Sequence, residues 1–555
     1  MNQFRTSIRG MDHKGYPAYK SLKGTYQFKN YQLEILHVQG DPFASPSSVA
    51  VKINGRNAAF PKEYYQQKHR RIAMEDYLLR NFSTALDRGS HRAKGSGKSG
   101  MIAASHPGQE ILERTGCRVS QDGSVLFRFV VGFPARGRTI DAREMKKIFF
   151  DILPPVVEQC GFYATCDKER IEETIALADD QYEIRRQLVQ KGLVAFVADG
   201  SVLPRESGIS ERPMKDAIAF KSPESLRVTL DLPHRGKISG MGIREGITLI
   251  VGGGYHGKST LLKTLEKSVY PHIAGDGREY VATLDCAMKI RAEDGRSVCN
   301  EDISLFIKDL PNGKDTTHFS TLDASGSTSQ AANTIEAIEA GSSLLLIDED
   351  TSATNFMIRD KLMEQVIAPG EEPIIPFIKR IRPLYEEQKV STILVVGSCG
   401  AFFEMADTII QMEQYLPRDI TKRAKSVFDA NSDKIRIDDE LVLPKGRTIR
   451  IPKATERNKI KVMGTDGFSL QHHPVDLRYL EQITDGEQML ALAQILCYTL
   501  ENFGQKQIAV PEYLDQIMSL LEQKGLEGLI SGKTIPNMAM PRKNEIAGCL
   551  NRYVR

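Results

Sequence analysis

One stretch of this sequence concentrates the residue types that handle phosphate: Gly252-Gly253-Gly254-Tyr255-His256-Gly257-Lys258-Ser259-Thr260. It meets the pattern Gly-x4-Gly-Lys-Ser/Thr at every required position. Glycines there let backbone N–H groups curl around phosphate oxygens, and a helix starting at Lys258 adds positive potential. Lys258 would reach the β- and γ-phosphates of ATP, and the Ser259 hydroxyl would ligate Mg²⁺. The elements needed to hold such a loop are present. Ile247-Thr248-Leu249-Ile250-Val251 reads as a buried strand, and Leu261, Leu262 and Leu265 follow at helical spacing. A glycine-rich turn before an ordinary helix is the bland alternative, and the flanking strand and helix weigh against it.

A second block lies downstream. Leu344-Leu345-Leu346-Ile347-Asp348-Glu349 is an apolar run ending in two acids, as expected of a buried parallel strand. Ligands of open α/β sheets sit at the carboxyl ends of strands. Asp348 is therefore expected in the Mg²⁺ shell, and Glu349 as the base or positioner of attacking water. Between the blocks, Ala324-Ser325-Gly326-Ser327-Thr328-Ser329-Gln330 reads as a loop opening a helix over 331–340. Taken alone it is a helix cap; placed before the acid-ended strand, it is a second phosphate-binding surface. A further apolar strand, 392–396, leads to Gly397 and Ser398.

The N-terminal segment alternates Tyr26, Phe28, Tyr31, Leu33 and Ile35, which predicts strands. A helix is expected over 72–86, a buried strand over 125–131, and a helix over 141–160 interrupted or ended by Pro154-Pro155. Gly97-Lys98-Ser99 imitates the end of a phosphate loop, but Arg92 stands where the first glycine belongs and no apolar strand precedes it. The same loop is basic and reads as flexible. Lys68, Arg70, Arg71, Arg80, Arg88, Arg92, Lys94 and Lys98 outnumber nearby acids, and Tyr64, Tyr65 and Tyr77 could stack bases. Ordinary solvated surface is the competing reading. Past the ATPase blocks, Lys445, Arg447, Arg450, Lys453, Arg457, Lys459 and Lys461 make a basic linker. Residues 475–555 are largely helical by spacing, with a tail, Arg542, Lys543, Arg552 and Arg555, that could border a nucleic-acid path.

The order of phosphate loop, Ser-Gly loop, acid-ended strand and Asp350-Thr351-Ser352-Ala353-Thr354-Asn355 turn resembles ABC-class ATPases. The wording of Arg291-Ala292-Glu293-Asp294-Gly295-Arg296, Tyr16-Pro17-Ala18-Tyr19 and His37-Val38-Gln39-Gly40-Asp41-Pro42-Phe43 is closer still to a bacterial family of predicted ATPases of the ABC class. A kinetoplastid relative of that family is an ABC-like ATPase of the mitochondrial RNA-binding complex. The resemblance covers nearly the whole chain. It implies a head-to-tail homodimer in which Ser325 and Gly326 act in trans on the partner's nucleotide, with 351–355 crossing between the sites. No glutamine stands where such proteins keep their metal and water sensor; Glu293 or Asp294 is the candidate. Ser398 replaces the usual histidine beside the γ-phosphate, and a serine cannot carry a proton charge near neutrality, so slow or partner-assisted hydrolysis is expected. No aromatic residue between Lys221 and the phosphate loop offers itself to stack adenine.

The totals fit a multidomain globular protein: 555 residues, 41% hydrophobic, 26% charged and a net charge of +3, too small to name a partner. No apolar run approaches a membrane span, and residues 1–6 lead into polar sequence without a signal-peptide core, so a cytoplasmic protein with reduced thiols is expected. The fold expected is α/β. A P-loop ABC-type nucleotide-binding core (166–445) is flanked by an α+β N-terminal domain (1–165) and a small, mainly helical C-terminal domain (446–555). The function expected is an ATPase, with ATP and Mg²⁺, coupling closure to nucleic acid, RNA favoured over DNA. A protein-remodelling factor and a weakly hydrolysing nucleotide switch are the alternatives.

Overall fold

A computed structural model describes residues 1–360, 366–367, 371–431, 441, 443–444, 446–454, 459–530 and 535–553; Lys445, Arg457 and Arg555 of the basic linker and tail lie outside them. The chain divides into two compact units. One comprises Met1–Asp179 and Leu526–Met540, the other Asp180–Gly525 and Pro541–Arg555.

The first unit is built on an antiparallel sheet in the order Gly24–Gln27, Gln32–His37, Ser47–Ile53, Val125–Val131, Ile102–Ala103, with Cys117–Val119 also paired to Val125–Val131. The alternation read from the sequence buries Tyr26, Leu33 and Ile35. Helix Lys68–Gly89 covers the sheet, with Phe82 stacked on Phe127 at 4.3 Å between ring centroids. Pro154 and Pro155 do not end the helical run. A π turn, Lys147–Ile152, precedes them, and they sit in the first turn of Leu153–Cys160, where their missing N–H groups leave no regular helical bond broken. The Tyr16 and Tyr19 hydroxyls donate to the carbonyls of Phe133 and Pro134 at 3.0 and 2.7 Å. Leu526–Met540 belongs here too: Thr115 N–H donates to Met538 O at 2.9 Å, and Arg128 pairs with Glu527 at 2.5 Å.

The second unit holds a six-stranded sheet in the order Met288–Ile290, Leu344–Asp348, Ser391–Val395, Ile247–Val251, Thr408–Glu413, Leu416–Asp419, parallel except for the last pair. The three central strands are buried at every position, as a sheet covered on both faces requires. Ser391–Val395 lies between the phosphate-loop strand and the acid-ended strand, so all three chain ends that carry candidate chemistry emerge at one edge. A four-stranded antiparallel sheet accompanies it: Arg227–Leu232, Gly236–Arg244, Leu193–Ala198, Val281–Thr283. Near the C-terminus a three-stranded meander, Ile460–Met463, Gly467–Leu470, His473–Asp476, precedes helices Gly486–Phe503, Val510–Lys524 and Lys543–Tyr553. Leu480 and Ile483, read as helical, fall before the Asp485 cap of the first of these.

Candidate functional site

Strand Ile247–Val251 ends at Gly252, and helix Lys258–Lys267 begins after Gly257, both glycines at positive φ (139° and 95°). A Cβ on Gly252 would meet Met412 O at 2.5 Å, so this position admits only glycine. Tyr255, also at positive φ (63°), is fully exposed at the tip. The loop is braced by the hairpin turn at Gln414 and Tyr415. Gln414 N–H donates to His256 Nδ1 at 2.8 Å, and Tyr415 N–H to His256 O at 3.2 Å. Lys258 folds back on the loop, its Nζ donating to the carbonyls of Gly252 and Gly253 at 2.7 and 2.8 Å.

Asp348 is buried at the end of its strand; Asp350 N–H donates to its carboxylate at 3.2 Å. Burial pushes its pKa up and the nearby Lys289 pulls it back. Ser259 and Asp348 line one cavity of about 340 Å³, so a hydroxyl, a carboxylate and free space meet there, a donor set that fits Mg²⁺. Glu349 turns toward the neighbouring strand end. Its carboxylate accepts Gly397 N–H at 2.6 Å, Ser398 N–H at 3.1 Å and the Ser398 hydroxyl at 2.7 Å. Ser398 therefore orients Glu349 in this state.

Ser325 caps helix Gly326–Glu339, accepting Thr328 N–H, so this helix starts five residues earlier than the spacing predicted. Its residues bond the turn after the acids: Gln330 Nε2 donates to Ser352 Oγ at 3.0 Å, Ala353 N–H to Gln330 Oε1 at 2.8 Å, and Ser327 Oγ to Asn355 at 2.6 Å. Ser325 and Gly326 line none of the three cavities that the phosphate loop lines. Glu293 faces away from the metal cavity. It is buried against this helix, paired with Arg552, its N–H on Ser329 Oγ at 2.8 Å. Asp294 is exposed beside Gly326.

One cavity and three lining residues, Tyr415, Lys289 and Glu481, are not legible as a site in the sequence. A cavity of about 570 Å³ beside the phosphate loop is walled by Tyr255, Lys258, Arg278, Tyr415 and the hairpin Arg205–Ser207/Ser210–Pro213. The aromatic Tyr415 comes from far downstream, outside the stretch between Lys221 and the phosphate loop. Lys289 and Glu481 line the Asp348 cavity, and Lys289 had one signal, a cation inside the apolar strand Met288–Ile290.

The basic loop of the first unit is tied down rather than flexible: Ser96 N–H donates to Ala135 O at 2.8 Å, Lys98 N–H to Pro42 O at 2.8 Å, and Ser99 is buried. Of the eight cations, Arg70 pairs with Asp179, Arg71 with Glu75, Arg80 with Asp76 and Lys68 with Glu113. Arg88, Arg92, Lys94 and Lys98 are exposed and make no ion pair among the described residues. Tyr64 and Tyr65 are core residues, closed to stacking, and Tyr77 is half-buried. Arg447 of the linker is likewise buried, pairing with Glu301 at 2.9 Å and Glu339 at 3.2 Å.

A parallel sheet with a glycine-rich loop to a helix, a lysine, and an acid-ended strand two places away is the architecture of a P-loop nucleotide-binding protein. Family models match nearly the whole chain: the N-terminal domain of ATPases of the ABC class over residues 1–164, the ABC ATPase P-loop domain over 167–443, and the MRB1590 C-terminal domain over 459–555. The chain belongs to the ABC-class ATPases and carries the C-terminal domain of MRB1590. A curated relative, the uncharacterized protein MJ1628 of Methanocaldococcus jannaschii, is 30% identical over 254 residues, 44% of this chain; the match spans 55% of that protein's length. Among solved structures, cbiO1 from Clostridium perfringens aligns with 43% of this chain and 91% of its own at 12% identity and a TM-score of 0.27, too distant to carry an argument. No helix among the described residues is long and apolar enough to cross a membrane.

Proposed function

We propose that this protein binds and slowly hydrolyses ATP in a head-to-tail homodimer and couples that cycle to nucleic acid, RNA before DNA, in the cytoplasm. The domain limits proposed are 1–165, 166–445 and 446–555. The observation that carries the ATPase reading is the fixed Glu349 carboxylate at the strand edge beside the phosphate loop. In this reading Lys258 leaves the Gly252 and Gly253 carbonyls for the β- and γ-phosphates, while the N–H groups from Gly253 to Thr260 cradle them. Tyr415 and Tyr255 wall the cavity in which the base would lie, large enough at about 570 Å³ for a nucleoside. Mg²⁺, held by Ser259 and Asp348, would neutralise charge on the transferring phosphoryl group. Glu349 positions the attacking water and Ser398 keeps Glu349 aimed. Ser325 and Gly326, exposed or half-buried at a helix N-terminus, are available to close over a second chain's γ-phosphate. Arg88, Arg92, Lys94 and Lys98, exposed and without an ion pair among the described residues, support phosphate-backbone contact.

ATP turnover by the purified protein, titrated with single-stranded RNA at two salt concentrations, tests both parts. Stimulation that fades at higher salt is expected, and Lys258→Ala should abolish turnover. Lys258-dependent turnover without RNA binding or stimulation would move the partner to a protein. Turnover that survives Lys258→Ala would remove the site assignment itself.

A further inference from the structure

Lys289 occupies a place that the ATPase reading leaves without a task. It sits in strand Met288–Ile290, the parallel edge neighbour of the acid-ended strand, in register with Leu346. Its side chain is 6% exposed and lines the cavity of about 340 Å³ together with Ser259, Asp348, Thr351 and Glu481. Among the described residues its ammonium makes no hydrogen bond and no ion pair. It shares that cavity with carboxyls, among them those of Asp348, Glu266 and Glu481. The position is held from the backbone. Lys289 N–H donates to Gln482 Oε1 at 3.0 Å, and the buried Gln482 in turn donates to Glu266 O at 3.2 Å and Ala287 O at 3.1 Å.

A buried cation without a direct partner is costly unless something in its cavity compensates. Here the candidates include the carboxylates of Asp348, Glu266 and Glu481 and whatever anion enters beside Ser259. A lysine cannot ligate a metal; it is a point charge that donates. Placed near a carboxylate that would hold Mg²⁺, it repels the metal, and placed near incoming phosphates, it attracts them. We propose that Lys289 sets the metal dependence of this site: a buried cation in the Asp348 cavity that supports ATP binding without Mg²⁺ and opposes the entry of Mg²⁺. The proposal rests on the ATP-binding reading above and adds a residue to it.

Calorimetric titration of ATP into the full-length protein, once in EDTA and once across an Mg²⁺ series, separates the two. Lys289→Met keeps the length and removes the charge. It should weaken metal-free ATP binding about tenfold and lower the Mg²⁺ concentration for half-maximal effect by a similar factor, while Lys289→Arg, with the charge kept, should track the wild type. If Lys289→Met does not fold, Lys289→Gln is read in the same way. Neutral variants with unchanged metal-free affinity and unchanged Mg²⁺ midpoint overturn the proposal and leave the ATP reading standing. Equal defects in the neutral and arginine variants also overturn it, since they would report packing instead of charge. A wild type that binds no ATP in either condition ends both.

Discussion

Glu349 accepts from three donors on the adjacent strand end, so a glutamine there keeps size and most contacts but loses the carboxylate proposed to polarise water. Glu349→Gln is expected to cut turnover by at least about 100-fold while ATP still binds, read by single-turnover hydrolysis beside equilibrium binding. Ser398→Ala removes one donor of the three and should cost far less, roughly two- to tenfold in the same assay. A different carboxyl, in the first unit, should make stability depend on pH. Glu75, buried with Val119 N–H donating to it at 2.7 Å, has its pKa pushed up from 4.5 to about 7, burial outweighing Arg118 and Arg71. A carboxyl whose folded pKa is raised binds its proton more tightly when folded, so its contribution falls as pH rises from about 4.5 to about 7. Thermal unfolding of the wild type should show that decline, and Glu75→Gln, which carries no titrating proton, should flatten it.

Helix Gly326–Glu339 shows how one element joins the site to the chain's far end. Its N-terminal half bonds the turn after Asp348 and Glu349 through Gln330 and Ser327. Its middle holds Asn333 and Glu336, the latter paired with Arg296, while Arg552 of the last helix pairs with Glu293 and also reaches Asn333. These groups are almost fully buried, so each ion depends on its partner. Arg552→Met leaves Glu293 without its cation and should destabilise the protein by about 3–5 kcal/mol. Hydrogen exchange should locate the loss at the amides following Ser325; a uniform loss across the chain would contradict this route. The last helix and the segment around Glu481 and Gln482 thus pack against the elements that carry Glu293, Lys289 and the Asp348 cavity.

For the whole molecule, the proposed sandwich makes association depend on nucleotide. Glu349→Gln with ATP should sediment as a dimer and return to monomer when ATP is removed; Lys258→Ala should stay monomeric throughout. The proposed RNA contact is a matter of net field at one surface. Replacing Arg88, Arg92, Lys94 and Lys98 together by alanine should reduce the slope of log binding constant against log salt by about 3, four phosphate contacts at roughly 0.7 each for a single strand. An unchanged slope would remove this loop as the contact surface.

The phosphate loop, the acid-ended strand and the strands beside them were legible because each is a local event. A glycine-lysine-hydroxyl run and a wholly apolar pentapeptide before an acid carry their structure in consecutive residues. Where charges and aromatics end up was not legible, because burial and pairing are decided by segments far apart in sequence. Tyr64 and Tyr65 became core, Arg447 became a buried counter-ion, and half of the eight cations found acids while the other half did not. Tyr415 reached the phosphate loop, and Glu481 reached the Asp348 cavity, only because the sheet order and the C-terminal segment carried them there. Sequence alone determined the phosphate-loop pattern and the strand and helix that flank it. Tertiary structure decided which charges are free to act, since a charge's effect depends on its neighbours and its exposure more than on its place in the chain.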